Sequence, residues 1–257
     1  SYAQSEEYPT SVAPNLWAHK TMKDRIMEAI KESPLREKKE YVYSDLSYYL
    51  LPSESPRLTG KSWTDYLSDT FYKPLGASTL VYQAEKHFPL ARIVPSEYDS
   101  LFRKTLIHGK VHDEGAALLD GISGHAGLFG NANDLAKLMQ MYLQKGYYGG
   151  QQFIQESTIK QWTSYPFSAA ENPRRGVGFD KVDRTKAGVS AAASASPESF
   201  GHSGFTGTYT WIDPKQDLVY VFLSNRVYPT RNNSKISDMN IRTGINEVIY
   251  QAIKKGN

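Results

Sequence analysis

Three short runs of this chain gather side chains that could do chemistry. Tyr43-Ser44-Asp45 stands just before an apolar stretch with helical spacing. A tyrosine there can take a proton only if nearby cations pull its pKa down from about 10, and Ser44 or Asp45 by itself is an ordinary helix cap. Gly124-His125-Ala126-Gly127 leads into a second helix. It makes either an anion-binding turn or, the favoured reading, a tight connection. The third run is Phe200-Gly201-His202-Ser203-Gly204-Phe205, continued by Gly207, at the start of a strand. Glycine in a strand marks the close approach of backbone to something else. That neighbour is either a substrate or a crowded part of the protein itself, and the run alone leaves both open.

Other candidates are weaker. His108, His112, Asp113 and Glu114 hold metal-ligand types, but Gly109 argues against a shared helix face and no third ligand stands out. Local hydrogen bonding by His112 and Asp113 is therefore expected rather than zinc. Asp180 and Asp183 fit a solvated strand end at least as well as a glycosidase pair. One Ser-x-x-Lys occurs, Ser157-Thr158-Ile159-Lys160. Helical spacing would put the lysine one turn from the serine, where it could take the hydroxyl proton. Glu156, Gln161 and Trp162 around it read as a surface helix, and the string is treated as a decoy.

These runs need elements to hold them. With 257 residues, 40% hydrophobic and 22% charged, the chain can bury one large core or two modest ones. Net charge is +3 and no like-charge run exceeds Lys38-Lys39 or Lys254-Lys255, so nothing points to nucleic acid or to a membrane surface. No apolar segment approaches the length of a bilayer span. The absence of cysteine excludes disulfides and thiol catalysis. No cofactor is expected.

Residues 1–17 read as a polar surface loop. A helix is predicted from Thr21 to Ser33, capped by Thr21 with Asp24 and apolar at Met22, Ile26, Met27 and Ile30. A second starts at Ser44 or Asp45 with Leu46, Tyr49 and Leu50 on one side, and Pro52 and Pro56 should break or kink it. A third runs from Ser62, with Asp65 behind it, to Tyr72. A short strand is expected at 79–82 and a helix from Glu97 to Ile107. Asn131 with Asp134 caps an amphipathic helix closed by Gly146, and another helix covers Glu156 to Trp162. Gly176 to Asp180 reads as a strand. The small-residue run 187–197 reads as a mobile loop that packs no core. A hairpin follows, turning at Pro214-Lys215-Gln216-Asp217, with its second strand buried on both faces. The last helix, 238–254, should turn Met239, Ile241, Ile245, Val248, Ile249 and Ile253 inward.

Tyr-Ser-Asp, then Gly-His-Ala-Gly-Leu-Phe with a capped Asp-Leu-Ala-Lys helix, then His-Ser-Gly at a strand start resembles the serine β-lactamase-like superfamily. The likeness is greatest to its class C β-lactamase, D-alanyl-D-alanine carboxypeptidase and esterase branch, and spans about residues 15–254. The C-terminal third resembles modules that follow a family 3 glycoside hydrolase domain. The resemblance implies an α/β (α+β) fold: an antiparallel sheet backed by the C-terminal helix, plus a mostly helical region, in one domain fragment over 1–257 (about 18–165 helical, about 175–257 sheet and helix). It implies an acyl-enzyme mechanism in a cleft between those parts. Tyr43 would relay the proton and Asp45, in the family's Asn place, would orient substrate or a lysine. His202-Ser203-Gly204 would replace Lys-Thr-Gly, with His202 a third catalytic group beside Tyr43 and Asp45, Gly204 at the substrate, Ser203 on the substrate carbonyl or carboxylate and the Phe205 N–H on the oxyanion.

The family's Ser-x-x-Lys belongs upstream of Tyr43, and the 42 residues there have none. The chain is therefore expected to be an inactive fragment, incomplete at its N-terminus, with Ser1 to about Asn15 poorly packed. Histidine at 202 removes a fixed positive charge, which shifts the expectation from a β-lactamase towards an esterase or peptidase. Expected partners are a small-molecule, peptide or ester substrate of cell-wall type and an N-terminal glycoside hydrolase domain, in a periplasmic or extracellular setting. The competing reading is a non-catalytic, penicillin-binding-like ligand-binding or scaffolding module.

Overall fold

The computed structural model describes residues 1–37 and 41–256, so the Lys38-Lys39 pair and Glu40 lie outside the described residues. The chain divides into two units: residues 1–73, 78–130 and 227–231, and residues 74–77, 131–226 and 232–256.

The first unit opens with a hairpin, β1 (Thr10–Ala13) and β2 (Leu16–Ala18), where the polar sequence led us to expect a loop. Alternation puts Val12 and Ala18 into a core with Val111, Ala116 and Ala117. The expectation of poor packing up to Asn15 fails at Val12 and Ala13, both buried. Helix α1 (Met22–Glu32) starts as predicted, but the Thr21 hydroxyl pairs with His19 Nδ1 at 2.9 Å instead of capping it. Met22, Ile26, Met27 and Ile30 are its half-buried face.

Helices α2 (Leu46–Tyr49) and α3 (Leu51–Thr59) follow each other closely. Pro52 falls in the first turn of α3, where no intrahelical donor is needed, and Pro56 sits inside it. Neither stops the helix; Gly60, in the left-handed region at φ 72°, does. On α2 the half-buried residues are Tyr48 and Tyr49, while Leu46 and Leu50 are exposed. Ser62 caps α4 (Trp63–Leu67) by accepting from the Asp65 N–H at 3.1 Å, and a π-helical turn carries it on to Tyr72.

The predicted 97–107 helix is instead a hairpin of β4 (Tyr98–Asp99) and β5 (Thr105–Leu106). The Asp99 carboxylate accepts from the N–H groups of Leu101, Phe102 and Arg103 and so folds a turn that competes with a helix. The pairing of β3 (Val81–Tyr82) with β6 (Leu128–Phe129), and α5 (Glu114–Leu118) between them in sequence, complete the unit.

In the second unit a four-stranded antiparallel sheet runs β12-β11-β10-β9. Its strands are β9 (Asp180–Lys181), β10 (Phe200–Ser203), β11 (Tyr209–Asp213) and β12 (Leu218–Phe222). The strand order puts β11 and β10 inside, and β11 is the better buried of the two. The more continuously apolar β12 is an outer one, with only Tyr220 fully buried. Helix α6 (Ala132–Leu143), capped by Asn131 at 2.8 Å, lays Met139 and Leu143 on Phe200 and Ile212. Helix α7 (Glu156–Trp162) lies where predicted.

The other face holds Tyr209, Trp211, Tyr220 and Tyr250 together with Ala191, Ala192 and Ala195. The small-residue run is therefore core rather than mobile loop, because alanines let its backbone lie against large rings. Two carboxylates pin it: Glu247 accepts from the Ser194 N–H and hydroxyl, and Asp213 from those of Ser196. After α8 (Lys235–Asp238), helix α9 (Ile241–Gly256) turns Asn246 and Tyr250 inward, while Met239, Ile245 and Val248 are exposed. The tyrosine sets the buried face, a quarter-turn from the aliphatic stripe read from sequence. Among the described residues no helix is long and apolar enough to cross a membrane.

Candidate functional site

The predicted site residues fall in two groups, Tyr43 and Asp45 in the first unit and His202 to Phe205 in the second. Tyr43 stands just before α2 with 54% of its surface exposed. Asp45 is the N-cap residue of that helix but its side chain makes no capping bond; Ser44, one residue earlier, accepts from the Leu46 N–H at 3.2 Å. The far end of α2 is clamped by Tyr49, whose ring stacks on His125 at 4.3 Å between centroids.

His125 is itself held on both nitrogens. Nε2 lies 3.0 Å from Asp113 Oδ1 and Nδ1 lies 2.9 Å from Ser123 Oγ. A carboxylate only accepts, so Nε2 carries a proton, and in the neutral ring the serine hydroxyl donates to Nδ1. Burial pushes the Asp113 carboxyl up, but the bonds from His125 and the Ala116 N–H outweigh it and hold it below the usual range. Ser123-His125-Asp113 thus has the connectivity of a nucleophilic triad. Ser123 is fully buried, so no acyl group reaches it, and the relay works as a clamp on α2.

Tyr49 is no base either: burial first, then the charges of Asp113, Asp45 and Glu114, push its phenol up to about 12. Gly115 and Gly124 are the space this clamp needs. A Cβ on the first would collide with the Tyr49 hydroxyl, and on the second with the Tyr48 carbonyl. The tight-connection reading of Gly124-His125 therefore holds. A cavity of about 430 Å³ in this unit is walled by Met22, Met27, Tyr49, Trp63 and Ile122 among others, and none of the predicted site residues lines it.

The histidines read as metal candidates have separate partners. His108 Nε2 lies 2.6 Å from the Ile93 carbonyl, and His112 Nε2 lies 2.7 Å from Glu97 Oε2. Glu97 also accepts from the Arg231 N–H and guanidinium, and Arg231 reaches on to Glu114 at 2.8 Å. Burial alone would raise the Glu97 carboxyl, but the Arg231 N–H, His112 and the Arg231 side chain pull it below its ordinary value. A carboxylate lowered on folding adds stability that is complete above its unfolded pKa of about 4.3 and is lost as pH falls through the folded value. Acid melts should therefore show Tm falling below about pH 4.3. Glu97→Gln should be less stable at neutral pH and show a flatter acid limb; an unchanged limb would assign the acid sensitivity elsewhere.

In the second unit, β9 pairs only with Phe200 and Gly201. Among the described residues, β10 therefore has no second strand beside it from His202 onward. Ser203 and Phe205 are exposed and His202 and Gly204 half-buried. The glycines answer crowding within the protein. A Cβ on Gly201 would strike the Thr210 carbonyl and the Trp211 ring across the strand pair, and one on Gly204 the Thr208 hydroxyl. Gly207, at φ 112°, leaves room for Ser224 and the Arg226 N–H.

Arg226 donates Nε to the Phe205 carbonyl at 2.7 Å and lies over that ring. Arg242 donates to the carbonyls of Gly204 and Thr208, both at 3.3 Å. Asp180 is bound by Arg175, while Asp183 closes a local turn by accepting from Thr185 and Lys186. The two acids thus serve separate local purposes. Ser157 and Lys160 are both exposed on α7.

Two residues here escaped the sequence reading. Arg175 binds His202 and Asp180, and its only signal was a basic pair before a glycine-flanked strand. Lys181 is 1% exposed, bonded to the carbonyls of Glu198 and Ser199, and burial pulls its ammonium down to about 8.

The fold and these motifs define a β-lactamase-type α/β architecture. The Beta-lactamase family model matches residues 3–239, and the chain belongs to that family. A protein described as "Putative D-alanyl-D-alanine carboxypeptidase" from Escherichia coli K12 is 35% identical over 218 residues, covering 79% of this chain and 50% of that protein. A like-named protein from Salmonella gallinarum is 32% identical over 246 residues, covering 90% and 56%. The chain thus spans about half the length of the curated relatives it matches. Among solved structures, a penicillin-binding protein homolog from Caulobacter crescentus aligns with TM-score 0.52 at 20% identity, covering 79% of this chain and 59% of that one. A simvastatin synthase mutant from Aspergillus terreus aligns with TM-score 0.56 at 18% identity, covering 84% and 57%. The structural likenesses speak to the fold alone.

Proposed function

We propose that this chain is part of a serine hydrolase that cleaves esters or D-alanyl-D-alanine-type amides through an acyl-enzyme. The observation that carries the reading is the tyrosine before α2: Tyr43 is exposed while the helix behind it is clamped through Tyr49, His125, Asp113 and Ser123. A proton-relaying group needs that pairing of access with a rigid mount. Family membership and the carboxypeptidase description of the relatives support the same reaction class.

In this proposal Tyr43 moves the proton between nucleophile and leaving group, and Asp45 orients substrate or a lysine. Ser203 and Gly204 receive the substrate along the uncovered side of β10, and the Phe205 N–H donates to the oxyanion. The nucleophile is a serine outside these residues, since the one Ser-x-x-Lys here is a surface feature of α7. The setting is periplasmic or extracellular, as suits a cell-wall-type substrate.

A fluorophosphonate probe followed by peptide mapping tests the reading. The full-length protein should label at a Ser-x-x-Lys serine, and the 257-residue chain should not label. Labelling at Ser157 would overturn the assignment of the nucleophile. A full-length protein that binds penicillin without labelling would make the module a ligand-binding one.

A further inference from the structure

His202 was expected to act as a catalytic group, yet its hydrogen bonds point to a different task. Ring Nδ1 lies 2.8 Å from the Ser203 carbonyl and ring Nε2 lies 3.3 Å from Arg175 Nη1. Neither partner is ambiguous. A carbonyl oxygen can only accept, so Nδ1 must carry a proton. A guanidinium can only donate, so Nε2 must offer its lone pair.

We propose that Arg175 is a positioning residue that holds His202 as the neutral Nδ1–H tautomer. His202 is then neither the cation nor the proton acceptor of the substrate edge, but the brace of its backbone. This rests on the hydrolase reading for its consequence in turnover, though the tautomer can be read without any turnover.

The rest of the site fits that assignment. Arg175 Nη1 carries two N–H bonds and reaches both Asp180 Oδ1 and His202 Nε2. Asp180 therefore fixes the guanidinium that fixes the ring. Asp180 pairs with Gly201 across the β9–β10 ladder, and an isolated bridge joins Arg175 to Asp180. All three side chains are thus mounted on the sheet. Arg175 is buried and the Asp180 side chain is 17% exposed, so bulk water competes weakly for either bond.

The brace acts where the substrate is proposed to lie. Nδ1–H ties the Ser203 carbonyl at an exposed point of the strand, and the following Gly204 N–H is tied to the Thr208 carbonyl at 2.8 Å. In the opposite tautomer the Nδ1 lone pair would face the carbonyl lone pairs, and Nε2–H would face a guanidinium donor. In a protonated ring Nε2–H would meet the same donor beside the positive charge. Arg226 and Arg242, bound to the carbonyls of Phe205 and Gly204, are further cations on the segment that follows it. Asp180 is the carboxylate on Arg175.

Nitrogen-15 NMR of the labelled 257-residue chain decides the point, with the His202 ring assigned through His202→Gln. At neutral pH, Nδ1 should show a bonded proton and Nε2 a pyridine-type nitrogen. An Nε2–H tautomer or a charged ring would overturn the proposal, whatever the protein hydrolyses. Arg175→Met should turn the single tautomer into a mixture, and Arg175→Lys, which keeps a donor, should restore it. If Arg175→Met does not fold, the wild-type spectrum and Arg175→Lys still decide. In the active full-length protein, loss of the brace should lower kcat/KM about tenfold, the worth of one hydrogen bond. His202→Gln should be milder than His202→Ala, because the amide can still donate. Failure of labelling at the serine with the tautomer intact would sink the hydrolase reading alone.

Discussion

Tyr43→Phe in the full-length protein is expected to abolish acylation while leaving the fold intact. The substitution removes one hydroxyl from a ring that is 54% exposed. Little packing is lost, and the melting temperature should move by no more than about 1–2 °C, the scale of an exposed substitution in a chain of this size. Helix α2 keeps its mount, because the Tyr49–His125 stack and the Leu46 N–H to Ser44 hydroxyl bond do not involve residue 43. The chemistry should suffer far more. A positioned proton-transfer group contributes about 10²–10⁴-fold, and phenylalanine has no proton to give. Hydrolysis of a chromogenic ester, read beside a thermal melt, checks both halves. A variant that folds and retains full kcat would place the acid/base elsewhere and remove the central element of the proposed function.

The second large effect lies in the core. Asp213 is completely buried and accepts four hydrogen bonds: from the Ser196 N–H and hydroxyl, the Lys215 N–H and the Tyr250 hydroxyl at 2.8 Å. It joins three parts of the second unit: the small-residue run, the β11–β12 turn and helix α9. The Tyr250 phenol is raised by burial first and then by its bond to Asp213. It therefore remains a donor at any working pH. Asp213→Ala leaves those donors without an acceptor inside the protein, at about 1–3 kcal/mol for each group that stays unsatisfied. Partial relaxation brings the total to about 3–5 kcal/mol, a large share of a typical stability of about 5–15 kcal/mol. The melting temperature should fall by about 10 °C, and the 187–197 run should become a protease target. Asp213→Asn keeps one acceptor and should lose about half as much. A loss below about 1 kcal/mol would mean that alanine packing alone holds the run.

These two cases mark how far the chain could be read in advance. The family was legible because Tyr43-Ser44-Asp45 forms a motif in a fixed order with Gly124–Phe129 and His202–Gly204, and the same order proposed Tyr43 for the site. Short-range chemistry was equally legible. The caps at Ser62 and Asn131 were found because a serine or asparagine meets its partner three residues on. Asp213 was not legible, since its donors come from residues 196, 215 and 250. The 97–107 hairpin was missed because Asp99 bonds the next turn's N–H groups in place of a helix. On α9, polar Asn246 and Tyr250 take the inward side that periodicity assigned to Ile245 and Val248.

The amino-acid sequence by itself determined the family, most helices, the β10–β12 strands and the candidate residues Tyr43, Asp45 and His202 to Phe205, because each rests on local spacing or an ordered motif. Only the tertiary structure decided what those residues are bonded to. It turned a low-complexity run into core, put β11 inside the sheet with β12 at its edge, and explained Gly201 by cross-strand crowding and Gly204 and Gly207 by tight packing in the β10–β11 connection and beside it. It also set Arg175 against His202, 27 positions apart in sequence. Hydrogen bonds and close packing act through space, and their partners become neighbours only once the sheet has formed.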